Sequence, residues 1–141
     1  GLLYFDGSGV AQDYEKAFTL FSAAAREQIP EALHMLGLQM YSGLGVPVDF
    51  QEAFQNFKDS AVLGYPESQY MLAYMYQAGD LGREQPDLAY VWSKIAVDYS
   101  DFEIARDLNY LTTLLLDDDE QQQQASKAVV CYSSNFQDCP F

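Results

Sequence analysis

His34 is the sole histidine of the chain, so any Ser–His–Asp or Cys–His relay would have to run through it. A lone histidine on a helix reads better as a hydrogen-bonded surface or groove residue than as a catalyst. No Gly-x-Ser-x-Gly elbow is present, because Gly7-Ser8-Gly9 sets a serine between glycines without the required spacing. With 21 acidic residues, carboxylate pairs occur throughout, and no glycosidase pair stands out. The acidic quartet Asp117 to Glu120 lacks the alternating ligands and central glycine of a calcium loop. It reads as a solvated helix start. Neither a metal nor a cofactor is expected.

Gly43-Leu44-Gly45-Val46 has the look of a phosphate-cradling loop. A P-loop, however, needs four residues between its glycines, then Gly-Lys-Ser/Thr. After Gly45 the chain reads Val46-Pro47-Val48-Asp49, and no lysine follows until Lys58. An aspartate there would repel phosphate. Cys131 and Cys139 lie too far apart for a Cys-x-x-Cys redox motif, and nothing nearby supports zinc. They read as a local disulfide closing the last helix onto its tail, the alternative being two free thiols in a cytosolic protein. A disulfide implies the periplasm or the exterior.

Composition narrows the classes further. The 141 residues are 49% hydrophobic, enough for one folded domain with a core and unlike a disordered chain. No apolar run approaches the roughly 18 residues of a membrane span. Gly1 reads as a point inside a helix, so upstream sequence is expected. The net charge of −14 would repel a nucleic-acid duplex, which excludes that partner. The acidity suits solubility or a basic partner surface.

The elements that must position these residues come from a repeat. Tyr4–Phe18 aligns with Met40–Phe54 at an offset of 36: Gly7 with Gly43, Gly9 with Gly45, Val10 with Val46, Asp13 with Asp49, Ala17 with Ala53. Gly79 and Ala89 continue the phase, Leu81 replacing the second glycine, and Ala125 extends the alanine column. Each unit reads as two helices. Pro30 opens the first at a position where its missing N–H costs nothing, and Gly43 ends it. Asp49 caps the next, with Glu52 completing a capping-box pattern, and Gly64 ends it before Pro66 opens another. The glycine loop is therefore expected to be an inter-helix corner. The last unit has no such corner, and Leu114-Leu115-Leu116 runs straight into the acidic quartet that starts a polar outer helix.

Ala32, Leu36, Gly37, Met40, Gly43, Gly45, Val46, Asp49, Ala53, Phe57, Ser60-Ala61 and Gly64 together resemble the Sel1-like repeat, a relative of the tetratricopeptide family. The resemblance implies an all-α fold: a right-handed α/α superhelix, or solenoid, of antiparallel helix pairs with a 36-residue period. The chain then divides into a partial repeat at 1–29, repeats at 30–65 and 66–98, a capping helix pair at 99–134 and a disulfide tail at 131–141. Its tail resembles those of secreted or periplasmic members.

Helical geometry locates a candidate surface. With Leu36 at the centre of the buried stripe, positions 34, 38 and 41 lie opposite it. Carried through the repeat they form three columns: Leu2, Leu38, Tyr74 and Tyr110; Phe5, Tyr41, Gln77 and Thr113; His34, Tyr70 and Arg106. First helices of such repeats line the concave side, so His34, Leu38, Tyr41, Tyr70, Tyr74, Gln77, Arg106 and Tyr110 are expected to make a tyrosine-rich groove. The competing arrangement packs these rings between repeats. Phe18, Phe21, Phe54, Phe57, Tyr90 and Trp92 are expected mostly in the core. The function implied is a non-enzymatic protein–protein interaction module or adaptor of the bacterial envelope, periplasmic or secreted, holding a protein or peptide partner. A carbohydrate or cell-wall ligand binder is the alternative, followed by a hydrolase.

Overall fold

The computed structural model describes all residues, 1–141. Eight helices follow one another without a strand: α1 (Leu2–Asp6), α2 (Tyr14–Ala25), α3 (Pro30–Ser42), α4 (Phe50–Ala61), α5 (Pro66–Ala78), α6 (Pro86–Ser100), α7 (Ile104–Leu115) and α8 (Asp118–Ser133). None is long and apolar enough to cross a membrane. The helices gather into two compact units, Gly1–Ser60 and Ala61–Phe141.

The helix boundaries follow local chemistry. α3, α5 and α6 begin on proline, whose fixed φ suits a first turn. Asp13 caps α2 by accepting from the Lys16 N–H at 2.9 Å, and Asp49 accepts from the Glu52 N–H at 3.0 Å. α3 and α5 end on left-handed glycines, Gly43 (φ 69°) and Gly79 (φ 75°). Where Leu81 breaks the glycine pattern, the second positive φ moves one residue on, to Gly82 (φ 113°).

Gly45 has a second constraint. Its φ is 77°, and a Cβ there would lie 2.6 Å from the carbonyl carbon of Tyr14. The corner therefore rests directly on the backbone that starts α2. Gln39, fully buried in α3, ties the arrangement by donating from Nε2 to the Tyr14 carbonyl at 2.8 Å and the Leu44 carbonyl at 2.9 Å. Gly37 plays a related role inside α3, where an added Cβ would meet the Phe57 ring at 2.6 Å.

In the first unit Ala17, Phe21, Ala25, Ala32, Leu33 and Leu36 form the core, with Tyr4, Phe5 and Phe18 against it. Phe57 is buried, whereas Phe18 and Phe54 are only half-buried. In the second unit α6 is the central element, packed by α5, α7 and α8. It buries Tyr90, Val91, Trp92 and Ile95. The Cys131–Cys139 disulfide is formed, as the sequence suggests, and folds the tail back. There the Trp92 Nε1–H donates to the Pro140 carbonyl at 3.0 Å, and Phe141 lies 5.3 Å from the indole.

Candidate functional site

The candidate residues divide between the two units. In the first, α3 carries His34, Leu38 and Tyr41 at the three- and four-residue steps that share one face. His34 is nearly buried, 8% exposed, with its ring 5.5 Å from Phe57. Burial disfavours the charged imidazolium and lowers its pKa to about 4. The residue is thus neutral near pH 7, and its environment is that of a packed ring. Leu38 and Tyr41 are half-buried, Tyr41 against Phe50 at 5.0 Å.

In the second unit α5 supplies Tyr70, Tyr74 and Gln77. Tyr70 is half-buried between Tyr74 at 6.3 Å and Phe102 at 6.1 Å. Burial raises the Tyr70 pKa, so the phenol stays protonated. Tyr74 is 41% exposed. The Gln77 Oε1 is buried without a hydrogen-bond donor. On α7, Tyr110 is 67% exposed, and Arg106 reaches Asp101 in an exposed ion pair of 2.9 Å. Such a pair is worth little to stability and keeps the guanidinium positioned rather than buried.

The eight residues therefore fall into distinct environments. Tyr74 and Tyr110 present large exposed faces, each with a hydroxyl that can donate or accept. Tyr70, Tyr41 and Leu38 are partly covered, and His34 is interior. Phe102 was not among the sequence candidates. It follows α6 in an irregular segment outside the repeat columns, and only packing brings it to Tyr70. Neither side chain set offers a nucleophile beside a base.

The Sel1 repeat profile matches residues 1–28, 30–65 and 66–98, well over half of the chain. Among solved structures, a protective antigen of uropathogenic Escherichia coli strains that displays an SLR fold superposes with a TM-score of 0.78 at 22% identity, covering 96% of this chain and 36% of that one. A Sel1 repeat protein from Oxalobacter formigenes superposes with a TM-score of 0.70 at 24% identity, covering 92% of this chain and 55% of its own. The chain thus spans about a third and about half of their lengths. At these identities the likeness concerns the fold, a solenoid of helix pairs. No curated protein matches the chain. Sel1 repeats generally act as non-catalytic scaffolds that bind other proteins.

Proposed function

The chain belongs to the Sel1 repeat family, and from that premise we propose that it is a non-enzymatic adaptor of the bacterial envelope that holds a partner protein or peptide against tyrosines of its first helices. The observation carrying this reading is the exposure of Tyr74 and Tyr110, 41% and 67%, on first helices of their pairs. Exposed tyrosines are favoured at recognition surfaces because they give broad contact area with few rotors to freeze. Tyr70, itself packed against Phe102, lies beside Tyr74, while Gln77 and the paired Arg106 supply polar groups on the same helices. In the first unit, the same reading gives Leu38 and Tyr41 contact roles and makes His34 the support beneath them.

The net charge of −14 favours a partner with a basic surface. The disulfide favours an oxidising location, periplasmic or secreted. The test is affinity capture from envelope extract with the wild type and with Tyr74→Ala/Tyr110→Ala. The double variant should keep its helical circular dichroism and lose the partners that the wild type recovers. Unchanged recovery by a folded double variant refutes the surface.

A further inference from the structure

α7 carries its large apolar residues outward. Its inward side is small and polar: Ala105 and Thr112 are its only buried residues. Beside them the Asn109 Nδ2 donates to the Ser93 Oγ at 3.1 Å and to the Tyr90 carbonyl at 3.4 Å. Ile104, Tyr110, Leu111, Leu114 and Leu115 are all exposed, from 45% at Leu111 to 67% at Tyr110. At about 3.6 residues per turn these five share one face, with Leu108 half-buried at its edge. α5, the first helix of the preceding pair, does the opposite and buries Leu72, Met75 and Tyr76.

The helix pairing accounts for the difference. α5 packs on α6, the helix that follows it. α7 packs back onto α6 and α5, and α8 packs on α6 rather than on α7. The Gln121 amide ties the last pair by donating to the Thr113 and Leu116 carbonyls, each at 2.9 Å. α7 therefore lacks the following helix that covers α5. A contiguous apolar face left open in this way marks an interaction surface, and a helix is what it is short of.

Charge selects the helix. Between Asp101 and Ser126 stand seven carboxylates and a single cation, Arg106, which Asp101 already holds at 2.9 Å. Glu103 and Asp107 share the apolar face, Asp118 and Asp119 follow just beyond its end, and all four are exposed. The complement is basic residues flanking an apolar stripe. A second copy of this chain cannot supply it, because none of its helices carries more than one Lys or Arg. An anionic membrane surface would be repelled by the same carboxylates.

We infer that the outward face of α7 docks a basic amphipathic α-helix of the partner protein. Its apolar residues, at three- and four-residue steps, lie on Tyr110, Leu111, Leu114 and Leu115, and its Lys or Arg residues meet Glu103, Asp107, Asp118 and Asp119. The inference rests on reading the chain as an interaction module and names the partner's chemistry.

The test is fluorescence anisotropy with a labelled leucine–lysine peptide of about 18 residues, its leucines at helical spacing and its length enough to hold a helix. The comparators are the same composition with the leucines out of helical phase and a leucine–glutamate counterpart. The amphipathic basic peptide should bind saturably at micromolar concentration and shift the NMR amide signals of residues 104–115. Leu111→Ser/Leu114→Ser, at exposed positions, keeps the fold and should weaken binding at least about tenfold. Asp107→Asn/Asp118→Asn should weaken it several-fold and flatten its salt dependence. The inference is overturned if the basic peptide does not bind, if the out-of-phase or acidic peptide binds as well, or if the folded leucine variant binds like the wild type. Envelope capture separates this from the tyrosine surface. If the leucine variant keeps every partner that Tyr74→Ala/Tyr110→Ala loses, docking on α7 is overturned and the tyrosine surface stands.

Discussion

The corner between α3 and α4 takes seven residues, Gly43 to Asp49, whereas α7 passes to α8 through only Leu116 and Asp117. Both turns are tied by a glutamine whose amide donates to two backbone carbonyls. Gln39 bridges Tyr14 at 2.8 Å and Leu44 at 2.9 Å, and Gln121 bridges Thr113 and Leu116, each at 2.9 Å. They differ in their need for glycine. The first corner presses onto the backbone of another helix at Gly45 and turns through two left-handed residues. The second uses one buried extended residue, Leu116, and a reciprocal capping box between Asp117 and Glu120. Reversal alone does not require glycine; close approach of two backbones does.

Substituting the glycines separates these two contributions. Gly45→Ala combines a left-handed Cβ with a clash against Tyr14 and should cost about 3 kcal/mol. Gly9 has φ 78° but open space around its Cβ position, so Gly9→Ala should cost only about 1 kcal/mol. Urea denaturation of both variants checks this, and equal losses would show that backbone approach contributes nothing.

The tail gives the second unit a covalent closure that the first lacks. Cys139→Ser should remove about 2–3 kcal/mol through the unfolded-state entropy of the short loop. Because the tail covers Trp92, the variant should also show red-shifted indole emission. A stability loss without that shift would mean the tail stays docked unaided.

His34 makes the first unit pH-sensitive. Its folded pKa of about 4 lies below the ordinary 6.5, so the unfolded chain binds the proton more readily between these values. The stabilising contribution is complete above about pH 6.5 and is lost as pH falls through about 4, by on the order of 3 kcal/mol. The stability profile of His34→Leu should be flatter across that window than the wild type's; parallel profiles would contradict the buried, neutral imidazole. The smallest effect belongs to the other turn. Asp117→Ala should cost about 1 kcal/mol by removing the α8 cap, read as a drop in melting temperature. A loss as large as that of Gly45→Ala would erase the contrast between the two turns.

Much of the fold was legible because its signals are local. A proline at a first turn, a left-handed glycine, an aspartate three residues before an N–H and two cysteines eight apart all act within eight residues of chain. Those features specify the ends of α3, α5 and α8 and the covalent tail. The site was less legible. The helical step placed His34 beside Leu38 and Tyr41, but it could not say that Phe57 would cover the imidazole. The same step left Phe18 and Phe54 with the core, where they are only half-buried.

By itself, then, the sequence determined the helix pairs, their corners, a cysteine spacing suited to a local disulfide and the absence of any charge pattern suited to nucleic acid. These follow from backbone preferences and composition, which need no distant partner. Tertiary structure alone decided which tyrosines stay exposed and that Gln39 and Gln69 are buried. It also decided that Tyr99 and Tyr132 stack across α6 and α8. Their neighbours lie tens of residues away in sequence, and burial is a property of the surface left uncovered after the helices pack.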